Sequence, residues 1–152
     1  MVPKVSSEQM ISNLDPDFEQ RLNEVADRIT VALDQLIPPA SGPEAQLMRA
    51  MRHGALSKGK RLRPFITIEV GRMFGAQEKS LLRGAAAVEC MHAYSLIHDD
   101  LPCMDDDDYR RGQPTVHKAF DEATALLAGD ALQALAFESM VSPETHRDEL
   151  RR

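Results

Sequence analysis

The chain has 152 residues and a net charge of −6, because 24 aspartates and glutamates outnumber 18 lysines and arginines. Six of these acids lie within residues 99–108, and without them acidic and basic residues number 18 each. The lack of a basic excess argues against nucleic-acid binding, and a hydrophobic content of 43% argues against a disordered acidic chain. The charge is therefore local to one segment.

The apolar residues are typical of a helical protein. Aromatic residues make up 5% of the chain and tryptophan is absent, while alanine, leucine and methionine fill the apolar positions. Cys90 and Cys103 form neither a CxxC pair nor a disulfide framework. No signal-peptide core or membrane-spanning run is visible. We therefore expect a single cytoplasmic domain with two inert thiols.

Helical patterns cover the first half of the chain. Asp-Pro-Asp at residues 15–17 is typical of a helix start, and apolar residues then recur every three or four positions over residues 18–36. Pro38 and Pro39 end this helix. A shorter helix is predicted around residues 47–55, and a third is predicted to begin at Pro64 and to end near Gly75.

The second half continues the pattern with one long helix, predicted over residues 78–100, that ends before Pro102. Residues 105–113 are polar and are predicted to form a loop, and Asp121 is a candidate cap for a fifth helix. Without strand alternation, the fold is predicted to be an all-α bundle of long antiparallel helices. Ser-Pro-Glu at residues 142–144 looks like a further helix start, so we expect residues 1–152 to be the N-terminal part of a longer domain.

The acidic segment, residues 99–108, is the first candidate site. Two charges about 4 Å apart repel by about 1 kcal/mol in water and about 4 kcal/mol at an effective dielectric of 20. Six clustered carboxylates therefore need a cation, and carboxylate oxygens suit Mg²⁺, which often shares its sites with substrate phosphates. Arg110 and Arg111 follow at once, and guanidinium groups bind phosphate at two points. The segment predicts a metal-bridged phosphate ligand, and its spacing is not that of an EF-hand.

A second charged group is cationic and precedes the third predicted helix. Its members, which surround Gly59, are Lys58, Lys60, Arg61 and Arg63. This composition suits an anion bound without a metal. His92, Ser95 and Asp99 share one face of the long helix because they are three and four residues apart. Two anion sites of different kinds imply two phosphorylated substrates or one long one.

Four segments together resemble the trans-isoprenyl diphosphate synthases, and within that family the bacterial farnesyl diphosphate synthases. They are GKRLRP at 59–64, ECMHAYSLIHDDLP at 89–102, MDDDDYRRG at 104–112 and AGDAL at 128–132. The DDxxxxD pattern followed by RRG is highly specific, and GKRLRP is strong in combination with it. The resemblance extends from about Phe18 to Met140.

The resemblance implies the helical bundle of the isoprenoid synthases and a prenyltransferase that joins isopentenyl diphosphate to dimethylallyl and then geranyl diphosphate. Asp99, Asp100 and Asp105 would hold Mg²⁺, or Mn²⁺ in its place, against the allylic diphosphate, and Asp106 to Asp108 would lie around the metal. Arg110 would touch the allylic diphosphate. The residues implied in binding isopentenyl diphosphate are Gly59, Lys60, Arg63, His92 and Arg111.

Of these, the residues implied in catalysis are Asp99, Asp100, Asp105, Lys60 and Arg110. Tyr94 and Ser95 match the positions that limit product length in the family, and a bulky Tyr94 would suit a farnesyl-length product. Family members usually form homodimers and carry a second aspartate-rich motif in their C-terminal half. That motif is absent here, so we expect the 152 residues alone to be inactive.

Three alternatives remain open. A related synthase could make a geranyl or geranylgeranyl product. A non-catalytic subunit of a prenyl synthase is a second alternative, although it would have no need of the intact aspartates. An HD-type metal phosphohydrolase is suggested by the pair His98-Asp99, and it would recruit further ligands from His53, His92 or His117. That alternative leaves the cationic turn and the RRG segment unexplained.

Overall fold

The computed structural model describes residues 16–143, which form six helices and one short hairpin. The elements are α1 (Pro16–Leu36), α2 (Ala45–Ala55), α3 (Leu62–Met73), α4 (Glu78–Asp99), β1 (Tyr109–Arg110), β2 (Gln113–Pro114), α5 (Val116–Ala119) and α6 (Glu122–Val141). The predicted all-α class is confirmed. The predicted cap Asp15 and the helix expected after Pro143 lie outside the described residues.

Helix α4 is the centre of the fold, since α1, α2, α3 and α6 all pack against it. Small buried side chains at Ala85, Ala86 and Ala93 allow these neighbours to approach closely. One close approach is between α4 and α6 at Gly129, where an added Cβ would lie 2.1 Å from Nε2 of His98. The same His98 nitrogen is 3.0 Å from the carbonyl oxygen of Leu126. Together these contacts fix α6 beside the end of α4 that carries the acidic segment.

Two helix starts can be compared with the start and cap residues that the sequence predicted. Helix α3 begins at Leu62, not at the predicted Pro64. Pro64 still lies in the first turn, where its missing N–H has no helical partner to lose. Asp121 caps α6 as predicted, because its Oδ1 accepts a hydrogen bond from the Thr124 backbone N–H at 2.7 Å.

The segment predicted to be a loop contains a hairpin, so that prediction is wrong in part. Strands β1 and β2 pair antiparallel, with Arg110 opposite Gln113. The two residues between them, Arg111 and Gly112, have φ angles of 53° and 78°. Two consecutive left-handed residues are typical of a tight two-residue hairpin turn. The turn anchors the chain between the acidic segment and α5.

Within residues 16–143, no helix combines the length and the apolar character needed to cross a membrane.

Candidate functional site

The hairpin places two neighbouring arginines beside different partners. Arg110, in β1, binds the carboxylate of Asp100 at the end of α4. Arg111, in the turn, lines a pocket with residues of α3 and α4. The RRG segment therefore contributes one cation to the acidic segment and one to a separate basic pocket. The sequence predicted the two kinds of site, and the hairpin is what connects them.

Asp100 is the buried carboxylate of the acidic segment. Its side chain is 4% exposed, and Arg110 holds it through Nε at 2.8 Å and Nη2 at 2.5 Å from Oδ1. Such a two-point contact is the strongest form of an arginine–carboxylate pair. The bond to Asp100 raises the pKa of Arg110 above its ordinary value, against the opposing effect of burial. Asp100 is thus neutralised within the protein.

The other predicted metal ligands remain accessible. Asp99 is half-buried at the end of α4 and Asp105 is exposed. The backbone N–H of Asp105 donates to the carbonyl oxygen of Asp99 at 2.8 Å, so the two residues lie on adjoining turns of the chain. No described side chain is recorded as an ion-pair partner of either carboxylate. These two aspartates therefore keep their oxygens available to a hard cation.

A second group of possible ligands lies further along the same segment. Ligand atoms of Asp106, Asp108 and His117 lie within 4.8 Å of one another, and this is the one such group of three in the described part of the chain. Asp108 is already paired with Lys118, whose Nζ is 2.8 Å from Oδ1. The hydrogen bond to Lys118 lowers the pKa of Asp108. An internal cation thus already neutralises part of this group.

The basic pocket has a volume of about 100 Å³. Its charged and polar lining residues are Lys60, Arg61, Arg63, Glu89, His92 and Arg111. The structure thus brings together four residues that the resemblance assigned to isopentenyl diphosphate, from the cationic turn, α3, α4 and the hairpin. Lys58, which the sequence grouped with them, is exposed and is not among the lining residues.

Gly59 lies beside the same pocket, and its lack of a side chain leaves room there for Arg111. A Cβ at this position would lie 2.4 Å from Nη1 of Arg111, so the guanidinium group lies directly over the glycine backbone. Partial burial lowers the pKa of Arg111, and the neighbouring Arg61 lowers it further, while Glu89 opposes both effects. Crowded cations of this kind favour the entry of an anion.

His92 lies opposite Arg63, with Nε2 3.5 Å from Nη1 of the arginine. Burial lowers the pKa of His92, and the positive charge of Arg63 lowers it further. The imidazole is therefore neutral at physiological pH, and it can give one ring N–H to an anion without adding a charge.

The pocket also contains Glu89, which was not predicted as a site residue, and Arg61, which was predicted only as a member of the cationic group. Arg61 and Glu89 form an ion pair of 2.6 Å, and their side chains are 3% and 4% exposed. The one signal in the sequence is Glu89 itself, since a carboxylate among apolar residues of a buried helix requires a cation. The neighbouring Cys90 is buried, and burial raises the pKa of its thiol to about 12, which agrees with an inert cysteine.

The two residues predicted to limit product length lie one turn before the acidic segment. The ring of Tyr94 packs edge-on against His98 with centroids 4.9 Å apart. Ser95 donates its hydroxyl to the carbonyl oxygen of His92 at 2.9 Å. Tyr94 is partly buried against the apolar core. It therefore belongs to the face of α4 that meets α6, while Ser95 lies closer to the face of His92 and Asp99.

The histidines that a phosphohydrolase would need have separate partners. His53 is 2.8 Å from the carbonyl oxygen of Pro114, and His98 bonds Leu126. His117 is 7% exposed, and its Nδ1 is 3.1 Å from the Thr115 hydroxyl. Among the described residues these histidines form no common cluster with Asp99.

Comparison with known proteins gives the family. The polyprenyl synthetase family model matches residues 44–150. Farnesyl diphosphate synthases of Escherichia coli and Haemophilus influenzae are 54% and 52% identical over 121 residues, which are 80% of this chain. The aligned residues make up 40% and 41% of those proteins, so the chain spans about two fifths of their length.

A solved structure gives the same result. The crystal structure of an FPP/GFPP synthase from Zymomonas mobilis superimposes with a TM-score of 0.83 and is 47% identical in sequence. The match covers 87% of this chain and 48% of that chain. The segments that carry the charged residues lie within the region matched by the family. This chain belongs to the polyprenyl synthetase family.

Proposed function

We propose that the chain is the part of a trans-prenyltransferase that binds its two diphosphate substrates. The reaction joins isopentenyl diphosphate to dimethylallyl diphosphate and then to geranyl diphosphate, which gives farnesyl diphosphate. One observation carries the proposal: the hairpin supplies Arg110 to a carboxylate-rich site and Arg111 to a separate cationic pocket. A reaction between two diphosphates that play different roles needs two such sites.

The acidic segment is the proposed site of the allylic diphosphate. Asp99 and Asp105 offer carboxylate oxygens, the donors that Mg²⁺ prefers, and Asp100 would complete the set from its pair with Arg110. When bound, Mg²⁺, or Mn²⁺ in its place, would neutralise the diphosphate and make it a better leaving group. Arg110 would add a fixed positive charge where the leaving group gains its negative charge.

The basic pocket is the proposed site of isopentenyl diphosphate. Lys60, Arg63 and Arg111 would hold its diphosphate, with His92 as a neutral hydrogen-bond donor. Held in this way, the alkene would attack the allylic cation that forms when the C–O bond breaks, and the proton lost in the last step would go to the released diphosphate. Orientation of the two reactants is the contribution of this pocket to the rate.

Several broader features belong to the same proposal. Residues 1–152 would be the N-terminal part of one synthase domain, in keeping with relatives that are about twice as long. The enzyme would be a cytoplasmic homodimer. The family's second aspartate-rich motif has no counterpart in this sequence, so these residues alone would not turn over substrate.

The activity is tested with isopentenyl diphosphate, dimethylallyl diphosphate and Mg²⁺. A protein in which residues 1–152 are joined to the remainder of a farnesyl diphosphate synthase should form farnesyl diphosphate, measured by chromatography of the dephosphorylated products. The same protein with Asp99→Ala should lose about 100-fold or more in rate, since a ligand of a catalytic metal is removed. Absence of any prenyl product from the parent protein would refute the proposal.

Product length is tested in the same protein with Tyr94→Ala. Removal of the ring should permit products longer than farnesyl diphosphate, and Phe120→Ala, an aromatic residue that packs on His53 instead, is the matched control. Unchanged product lengths would reject Tyr94 as the residue that limits chain growth. Geranylgeranyl diphosphate as the main product of the parent protein would favour the related synthase considered above.

A further inference from the structure

Glu89 is an acid in a pocket that otherwise consists of cations. It projects from α4, its side chain is 4% exposed, and among the described residues it is the one carboxylate that lines the basic pocket. An anion-binding pocket gains nothing from a negative charge that faces its ligand. The position of Glu89 therefore calls for a role other than contact with the anion.

The partner of Glu89 indicates that role. Arg61 gives Nη1 to Glu89 at 2.6 Å and Nη2 to the carbonyl oxygens of Ala55 and Ser57, both at 2.9 Å. Arg61 is also the residue before the first turn of α3, where it has a left-handed φ of 50°. Through this one guanidinium group the end of α2, the start of α3 and the middle of α4 are joined behind the pocket.

Repulsion among the cations of the pocket explains why a buried negative charge is useful there. Lys60, Arg61, Arg63 and Arg111 surround about 100 Å³, and like charges gathered around so small a volume repel one another. Before an anion enters, that repulsion would drive the flexible side chains apart. The buried carboxylate of Glu89 offsets it from below, without occupying the space that the ligand needs.

We propose that Glu89, acting through Arg61, is a positioning residue that holds the cations of the basic pocket ready for a diphosphate before one binds. This rests on the proposed function, which assigns a diphosphate to that pocket. Preorganisation lowers the cost of ordering side chains when the ligand binds. Neither residue needs to touch the ligand for this effect.

The proposal and simple electrostatics predict opposite changes in anion affinity when the charge of Glu89 is removed. Removing a negative charge from a cationic pocket should strengthen anion binding if the arrangement of the pocket stays the same. If Glu89 positions the cations, Glu89→Gln should instead weaken binding by about tenfold or more, the size of effect seen when a supporting partner of a binding group is lost.

The test is calorimetric titration of the 152-residue chain with inorganic pyrophosphate in the presence of EDTA, which removes any metal-dependent binding. The parent chain should bind, Arg63→Ala should lose binding, and Glu89→Gln should bind more weakly. The matched control is Glu69→Gln, which removes a carboxylate from the more exposed ion pairs with Arg21 and Arg72 and should leave pyrophosphate affinity unchanged. Circular dichroism gives the folded fraction at the titration temperature.

A second variant covers the case in which Glu89→Gln does not fold. The double variant Arg61→Met, Glu89→Leu replaces both buried charges by apolar groups, a change that proteins often tolerate, and it should also bind pyrophosphate more weakly than the parent. Equal or tighter binding by a folded Glu89→Gln or double variant would overturn the positioning role and leave the proposed function intact. No binding by the parent chain would overturn both.

Discussion

The acidic segment and the basic pocket each contain an ion pair whose carboxylate is buried, and the pair has opposite effects in the two regions. In the acidic segment Arg110 neutralises Asp100, and the neighbouring carboxylates face outward. In the basic pocket Glu89 neutralises Arg61, and the other cations that line the pocket, Lys60, Arg63 and Arg111, are exposed. A countercharge beside a buried carboxylate thus helps like charges to gather in each region, and in the acidic segment Lys118 supplies a second countercharge at Asp108.

The two pairs differ in burial, and the difference should appear in stability. Both members of the Arg61–Glu89 pair are less than 5% exposed, whereas Arg110 is 31% exposed over a buried Asp100. Water can partly replace Arg110 beside Asp100, because Arg110 is itself reached by solvent, whereas Arg61 is as deeply buried as Glu89. The basic pocket therefore depends more strongly on its internal pair, and the acidic segment is the more open of the two.

The largest effect is expected from Arg61→Ala. It leaves Glu89 charged and unpaired in the interior, and it also removes the donor to Ala55 and Ser57. Loss of one partner of a buried pair costs about 3–5 kcal/mol, so the free energy of unfolding in urea should fall by that amount. Arg72→Ala, which removes a half-exposed guanidinium from ion pairs with Glu69 of α3 and Glu78 of α4, should cost less than about 1 kcal/mol.

Arg110→Ala should have a smaller effect. The buried carboxylate of Asp100 loses its hydrogen bonds, at a cost of about 1–3 kcal/mol, because solvent reaches the side on which Arg110 lay. Urea denaturation of this variant beside Arg61→Ala measures the difference directly. If Arg110→Ala is as destabilising as Arg61→Ala, then burial does not distinguish the two regions.

The smallest effect concerns the pH dependence contributed by His92. Burial lowers its pKa in the folded chain, and Arg63 lowers it further. Below about pH 6.5 the unfolded imidazole takes up a proton that the folded one does not, so this residue makes the fold less stable as the pH falls. We expect the free energy of unfolding to decline more steeply from about pH 8 to about pH 5 in the parent than in His92→Gln. Parallel pH profiles would show that neither burial nor Arg63 lowers the pKa of His92 in the folded chain.

Much of the candidate site could be predicted because its residues lie in short, continuous segments. The GKRLRP segment at residues 59–64 and the aspartates from Asp99 onward are recognisable from their order alone. Lys60, Arg63, His92 and Arg111 were assigned to one ligand from the resemblance, and the structure brings them to one pocket. Whether they bind isopentenyl diphosphate stays a prediction.

Glu89 could not be assigned in the same way. Its partner Arg61 lies 28 residues earlier in the chain, and only the packing of α3 on α4 brings the two together. The hairpin was missed for a related reason. The turn uses the left-handed φ of Arg111, a residue type that does not signal such a turn, and the strands are two residues long, too short for an alternating pattern.

The sequence by itself determined the helical class, the family resemblance and the list of charged residues, since apolar spacing and motif order are local properties of the chain. The tertiary structure decided which charges are neutralised inside the protein: Asp100 and not Asp99, Arg61 and not Lys60. It also decided that Arg110 and Arg111 serve different regions. The physical reason is that a buried charge needs an opposite charge beside it, and the arrangement of helices far apart in sequence decides which charges are buried and which partners they meet.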